Sequence, residues 1–383
     1  MIYMDNAATS WPKPESVWEA VLRVGKTIGA NPGRAGHQMA IDAGRAIYNA
    51  RVAIARLFQF PDPLRVVFTL NATDALNLAI FGLLKPGDHV LTTRLEHNAV
   101  ARPLYILQHR GVEVTYLDGD DYGRIDPDEI KQNRKANTKA LILNHASNVT
   151  GAMQDLENIV KAAKALDLLV IVDAAQTAGV FPIQMEAWGI DLLAFPGHKG
   201  LLGPQGTGGL CIMPGIDLEP LRYGGTGSQS ESELQPLCLP DRFESGTPNT
   251  PGIAGLAAGV EYIHQFGQAK IEAHERMLTQ QLMEGLAGLK GVRLMGPPIG
   301  ESRAAVLSLT VDGMEVAEMG FLLDKAFNIA VRTGLHCAPL AHRRSGTFTT
   351  GTVRLSPGIF STETEIKEVV AAITQLVNEA NTI

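Results

Sequence analysis

Lys199 stands at the mouth of an apolar run. It lies in Phe195-Pro-Gly-His-Lys199-Gly, directly after Ile190-Asp-Leu-Leu-Ala-Phe195 and ahead of Gly203-Pro-Gln-Gly-Thr-Gly-Gly209. Solubility does not explain a charge in such a place. The glycines let the backbone approach another group closely, and a partly desolvated amine is a candidate Schiff-base nucleophile. A second run, Leu168-Leu-Val-Ile-Val-Asp173, ends in a carboxylate, with Gln176 three residues on. A carboxylate closing a buried strand needs a cationic or hydrogen-bonding partner. A protonated pyridine nitrogen would serve, and so would a structural arginine. Lysine and aspartate, each ending its own strand, form the pairing expected around pyridoxal phosphate (PLP).

Further polar residues fall where strands give way to helices, the region in which open α/β sheets do their chemistry. In Asn71-Ala-Thr-Asp74, the amides of Ala72 and Thr73 with the Thr73 hydroxyl could hold a phosphate, or the segment could be a simple N-cap. His97, in Leu95-Glu-His97-Asn98, could stack on a flat ring or be a solvated loop histidine. Asn148, in Ser147-Asn-Val-Thr-Gly151, could donate to a ring oxygen or serve the turn. His198 could reach a phosphate or fill its own turn. Cys337 lies in Arg332-Thr-Gly-Leu-His-Cys-Ala-Pro339, before the basic loop His342-Arg-Arg-Ser-Gly346. Nearby cations favour a reactive thiolate, whereas most cysteines are inert small hydrophobes. A metal reading through His336, Cys337 and His342 lacks a second cysteine at ligand spacing. Arg354, in Thr352-Val-Arg-Leu-Ser356, offers a fork suited to an α-carboxylate, with an ordinary ion pair as the alternative. Phe243-Glu-Ser-Gly-Thr247-Pro-Asn-Thr250 adds the Thr247 hydroxyl on a pliable backbone.

The elements that must position these residues follow from periodicity. Short β-rich runs at 65–69, 89–93, 112–117, 140–144, 169–172 and 192–195 alternate with helical segments at 72–84, 99–109, 127–133 and 156–165. Continuous apolar strands interleaved with helices predict an α/β fold with a mostly parallel central sheet covered on both faces. Ahead of them come an extended arm with Trp11-Pro-Lys-Pro14, a helix from about Glu15 to Gly25, a turn at Asn31–Gly36 and a helix from about Ala40 to Phe58. Near Gly252 the rhythm changes. A long helical stretch over 253–288, broken near Gly267, leads to a strand at 304–311, a helix at 315–327, a short strand at 329–332 and a last helix opening on the capping box Thr362-Glu-Thr-Glu365. The expectation is a large domain over residues 15–252 and a smaller α+β domain over 253–383, joined by the arm 1–14 and carrying Cys337 and Arg354.

At 383 residues, two packed domains are natural. A net charge of −7 and a pI near 5.8 argue against nucleic-acid or anionic-membrane partners. No stretch reads as a membrane span or an export signal. Three widely spaced cysteines fit a reducing cytoplasm better than a disulfide scaffold.

Taken in order, Tyr3-Met-Asp-Asn-Ala-Ala-Thr9, Ala72-Thr73, Glu96-His97, Asn148, Asp173-Ala-Ala-Gln176, Gly197-His-Lys199, Gly246-Thr-Pro-Asn249 and Arg332-Thr-Gly-Leu-His-Cys337 resemble the class V, fold type I PLP-dependent enzymes, specifically the cysteine desulfurases. The short segment from Cys337 to Arg354 is similar to the group II branch, which also holds selenocysteine lyases. The resemblance implies conversion of L-cysteine to L-alanine, with the sulfur passed to Cys337 as a persulfide. Lys199 would carry PLP as a Schiff base, and Asp173 would keep the pyridine nitrogen protonated. Gln176 would bond the ring oxygen, His97 would stack on the ring and take part in catalysis, and Asn148 would lie beside ring and substrate. Ala72, Thr73 and His198 would bind the phosphate, and Arg354 the substrate carboxylate. Thr247 would reach the phosphate of a partner subunit, implying a homodimer, and a sulfur-acceptor protein is a further implied partner. A selenocysteine lyase or a class V aminotransferase is the alternative. Two departures stand out: Pro196 where the family usually has a serine, and Pro339-Leu-Ala-His342 after the cysteine.

Overall fold

The computed structural model describes residues 1–33 and 36–381. Arg34 and Ala35, inside the turn expected at 31–36, lie outside the described residues. A seven-stranded sheet runs in the order Val66–Thr69, Gly208–Ile212, Leu192–Pro196, Leu169–Asp173, Thr138–Asn144, His89–Thr93, Glu113–Leu117. The last five strands in that order are parallel, and Gly208–Ile212 is antiparallel to both its neighbours. The sheet is therefore mostly parallel, with one reversed strand that the sequence pattern did not separate from its glycine-rich surroundings.

Side-chain alternation explains why these runs are apolar throughout. Leu141, Leu143, Val170, Val172, Leu193 and Phe195 enter one core, while Ala140, Ile142, Ile171, Leu192 and Ala194 enter the other. The first core is closed by helices Gln38–Leu57, Leu156–Lys164 and Thr250–Phe266, and the second by Ala72–Leu83 and Asn98–Gln108. Each helix supplies an apolar stripe: Ile47, Ala50, Ile54 and Leu57 in the first, Ala75, Leu76, Ala79, Ile80 and Leu83 in the fourth.

A third core lies under a four-stranded antiparallel sheet ordered Arg332–Gly334, Thr352–Leu355, Leu307–Val311, Val292–Leu294. Helices Gln268–Leu286, Val316–Phe327 and Glu363–Ala380 pack into it. The last begins with both halves of its capping box formed between Thr362 and Glu365. The strand expected over 329–332 is two strands with different partners. Ile329–Ala330 pairs in parallel with Ile2–Tyr3 of the N-terminal arm, and Arg332–Gly334 pairs with Thr352–Leu355. The arm thus adds an edge beside the third core, and Met4 is fully buried in it.

Candidate active site

Strand ends, helix starts and the arm converge on one cavity of about 300 Å³, partly open to solvent. Ala72, Thr73, His97, Asn148, Asp173, Gln176, His198, Lys199 and Arg354 all line it, and Arg332 and Pro196 join them. Nine of the eleven residues singled out from the sequence therefore meet in one place. Cys337 is not among the lining residues but is bonded by one of them, Arg332. Thr247 does not join within this chain; it lines a separate cavity with Thr69, Arg222 and Asn249.

Asp173 and Lys199 follow adjacent parallel strands that the core holds in register. Burial raises the affinity of the Asp173 carboxyl for its proton, opposed by the Ala175 N–H, which donates to Oδ1 at 2.8 Å, and by the Lys199 charge. A cation placed against Asp173 would relieve that penalty. Burial also pushes the Lys199 amine down to about 8, with Asp173 pulling it back up and Arg354 and Arg332 pressing it further down. The amine is thus far easier to free of its proton than a surface lysine.

The backbone of Lys199 is held from outside its own turn. The carbonyl of His198 accepts from Ser10 N–H at 3.1 Å, Thr9 Oγ1 at 3.0 Å and Lys13 Nζ at 2.7 Å, and the carbonyl of Lys199 accepts from Ser10 Oγ at 2.8 Å. Burial by these contacts lowers Lys13 to about 8. Gln176 Nε2 donates to the Ala7 carbonyl at 3.2 Å, so the arm also touches the glutamine.

The helix Ala72–Leu83 starts at the cavity wall, where Asn71 Oδ1 accepts from Asp74 N–H at 2.9 Å. The cap leaves the first N–H groups, those of Ala72 and Thr73, available to an anion in the cavity. Gly208 permits this approach, because a Cβ there would lie 2.7 Å from Asn71 Cα. The cap is formed, and it remains compatible with an anion site, since the two use different N–H groups. Pro196, opposite Gly208, presents no donor of its own to the wall.

His97 caps the helix Asn98–Gln108: its Nδ1 accepts from Ala99 N–H at 3.0 Å. Burial, then Lys199, Arg332, Arg102 and Arg354, lower its pKa to about 4. The ring is therefore neutral at pH 7 and carries its proton on Nε2. His198 is likewise held to about 4, by burial, Lys199 and Lys13, and its buried Nδ1 has no partner. Asn148 Oδ1 and Arg354 Nε are also buried without partners. Orphaned polar atoms at a cavity wall are what a polar ligand would satisfy. Together with the Asp173 carboxylate, the lysine amine and the free helix N–H groups, they fit a phosphorylated pyridine aldehyde.

Arg354, 1% exposed, pairs with Asp5 Oδ1 at 2.7 Å through Nη2 and donates to the Asn148 carbonyl at 3.1 Å through Nη1. The ion pair weighed as its alternative role is present, and Nε remains free.

Cys337 is exposed, and Arg332 Nη2 donates to its Sγ at 3.5 Å. Its turn is unusual: His336 and Cys337 take φ of 47° and 58°, two successive left-handed residues without glycine. The His336 carbonyl accepts from Asn148 Nδ2 at 2.7 Å, the Cys337 carbonyl accepts from Asn98 N–H at 2.8 Å, and His336 Nε2 bonds Thr352 Oγ1 at 2.9 Å. Burial, then Arg354 and His342, drives His336 down to about 2, so it stays neutral. Among the described residues no group of three or more His, Cys, Asp and Glu side chains is placed to hold a metal ion. Arg343 lies over the Phe348 ring at 3.6 Å, and Arg344 donates to the carbonyls of Gly119 and Asp120. Both cations of the basic loop have structural partners.

Sequence reasoning gave no role to Asp5, Glu96, Arg332 or the Thr9-Ser10-Lys13 group. Glu96 was within reach of the argument that selected Asp173, since it too follows a buried strand. Its Oε1 accepts from Thr93 Oγ1 at 2.6 Å and from Asn144 N–H at 3.0 Å, and burial raises its pKa to about 8. Asp5 gave no such signal, being 349 positions from Arg354.

Comparison with known proteins places this constellation. The aminotransferase class-V family matches residues 2–369. A probable cysteine desulfurase of Methanothermobacter thermautotrophicus is 33% identical over 96% of this chain and 92% of its own. A cysteine desulfurase of Haloferax volcanii is 31% identical over 97% and 88%. The apo structure of a cysteine desulfurase from Thermococcus onnurineus NA1 superposes with a TM-score of 0.92 at 33% identity, covering 99% of this chain and 95% of that one. The chain belongs to the class-V aminotransferase family, among its cysteine desulfurases, and has the type I fold of these PLP-dependent enzymes.

Proposed function

We propose that this chain binds PLP through Lys199 and desulfurates L-cysteine to L-alanine, with Cys337 as the sulfur-accepting nucleophile. One observation carries the reading: the backbone that bears the exposed Cys337 thiol is fixed, through bonds from Asn98 and Asn148 to the carbonyls of Cys337 and His336, to the two segments that border the Lys199 cavity. An aminotransferase would need the lysine, the aspartate and the arginine, and would leave this thiol idle.

When bound, PLP supplies an electron sink that makes the substrate Cα proton acidic enough for an amine base. Lys199 would hold the aldehyde and, once displaced by the substrate amine, take the Cα proton on Nζ. Asp173 would balance a protonated pyridine nitrogen, and Gln176 would bond the ring oxygen. The neutral His97 ring would stack on the pyridine, with Asn148 beside it. Ala72, Thr73 and His198 would receive the phosphate, with Pro196 contributing shape only. The free Nε edge of Arg354 would take the substrate carboxylate. Cys337 sulfur would then attack the substrate sulfur. An S–S bond forms, the Cβ–S bond breaks, and the carbon keeps the electron pair and gains a proton to become alanine. The persulfide remains on Cys337.

We read residues 15–252 as the PLP-binding domain and 253–383 with the arm 1–14 as the smaller domain. The third core supports that division, since it draws only on the arm and on residues beyond 277, although helix Thr250–Phe266 and Ile271 pack into the first core. We also read the protein as a cytoplasmic homodimer in which Thr247 serves the partner's phosphate. Support comes from Thr247 lining a different cavity from that of Lys199 and from Tyr223, Leu234 and Leu237, exposed at 69%, 80% and 77% on the same loop. A sulfur-acceptor protein would approach the exposed thiol. The test is incubation of the PLP-loaded protein with L-cysteine, measuring alanine, sulfide and the mass of the peptide bearing Cys337, with L-selenocysteine in parallel. Without added thiol, one alanine per site and one added sulfur on Cys337 are expected; with a dithiol reductant present to reduce the persulfide, alanine and sulfide are expected in equal amounts over many turnovers. Amino transfer to a 2-oxo acid without sulfide would overturn the reading.

A further inference from the structure

Arg354 meets the cavity with its charge already balanced. The residue is 1% exposed, and its strand is locked on both sides, with Arg354 opposite Ser308 on one neighbour and Arg332 on the other. Nη1 is engaged by the Asn148 carbonyl, so the guanidinium is oriented without help from any carboxylate. Asp5 then binds Nη2 at 2.7 Å. Arg354 lines the cavity and Asp5 is not among the residues lining it. The Nε donor is left buried and unpaired. An incoming carboxylate that took this unpaired Nε would share the fork with Asp5 and would not displace it.

Orientation and charge separate here. Losing Asp5 would leave the strand and the Asn148 contact in place, but it would expose a buried cation with no counter-charge. Binding an anion to such a cation is worth more than binding it to a neutralised one, and two carboxylates on one guanidinium repel each other.

We propose that Asp5 is a specificity-determining residue acting through Arg354: an internal counter-anion that loosens the grip on α-carboxylates, so that product as well as substrate leaves readily. The proposal rests on the reading of Arg354 as the carboxylate site. Alanine keeps the carboxylate that cysteine brings, and an arginine without its counter-charge would retain the product.

The experiment compares wild type with Asp5→Asn, Asp5→Ser and the charge-keeping Asp5→Glu, all PLP-loaded. The readouts are KM for L-cysteine and calorimetric affinities for L-alanine, 3-mercaptopropionate (a carboxylate without an amine) and cysteamine (an amine without a carboxylate). Asp5→Asn is isosteric and keeps an acceptor for Nη2, and Asp5→Ser makes the same charge change with a smaller side chain. Both should lower KM and tighten alanine and 3-mercaptopropionate by about three- to tenfold, with cysteamine within about twofold and Asp5→Glu near wild type. Carboxylates that bind no tighter would overturn the proposal, as would all ligands shifting together. Failure of the underlying reading looks different: wild type itself would release no alanine from cysteine.

Discussion

Lys199 and Cys337 are the two nucleophiles of the proposed reaction, and their surroundings differ in what is buried. Lys199 is half-buried, recessed in the wall of the cavity, and its proton affinity is pushed down to about 8, while the arm grips the carbonyls of residues 198 and 199. Around Cys337 the sulfur faces solvent, and it is the backbone that is enclosed, with His336 only 2% exposed and both flanking carbonyls bonded. In each case the main chain is fixed by residues far away in sequence. One site hides its reacting atom and the other presents it. That division suits a lysine that must work away from water and a thiol that must hand something on.

The comparison can be broken most severely at the lysine. Lys199→Ala should abolish the visible absorbance of bound PLP at 199 and reduce alanine formation by at least ~10⁴-fold, as measured by amino-acid analysis. Cys337→Ala should retain PLP absorbance and lose sulfide release from L-cysteine; full sulfide release would show that the exposed thiol is a bystander. A subtler cut leaves both nucleophiles in place. Thr352→Val removes the Oγ1 partner of His336 and leaves a buried ring nitrogen unpaired. It should lower kcat for sulfide transfer roughly tenfold, with PLP content and KM for cysteine unchanged.

The smallest expected effect is on stability and comes from beneath the cavity. Glu96 has its pKa raised by burial to about 8, so the folded state holds a proton that the unfolded chain has lost above about 4.5. Stability therefore declines as pH rises through the window from about 4.5 to about 8. Glu96→Gln, which keeps the acceptor for Thr93 and Asn144, should flatten that slope and raise the melting temperature at pH 8, a gain on the order of 1 kcal/mol or more. A variant with an unchanged pH profile of melting would remove Glu96 from this role.

Much of the fold was legible because parallel strands buried on both faces are unbroken apolar runs, and their ends mark where Asp173 and Lys199 must lie. Local signals sufficed for the Thr362 capping box and for the interruption of the long helix, which ends at Phe266 and restarts at Gln268. What escaped was pairing between distant segments. Nothing near Ile329 reveals that Ala330 and Arg332 belong to different sheets, because the partner of the first is the N-terminus. The Asp5–Arg354 bond and the arm's hold on His198 are equally invisible until the chain folds back on itself. Thr247 could be named from resemblance, yet a single chain leaves it away from the others. In the basic loop Arg343 stays exposed while lying over the Phe348 ring, and only the fold reveals that Arg344 reaches the carbonyls of Gly119 and Asp120.

The left-handed pair at His336 and Cys337 has a practical outcome for sulfur delivery. With the carbonyl on each side bonded, the thiol can rotate about its own Cα–Cβ bond, whereas carrying it outward on a swinging segment would require breaking both bonds. A cargo held there does not travel. Its recipient must come to the protein and dock against the rim, so the pace of delivery would follow the recipient's concentration and fit, with no dependence on loop length.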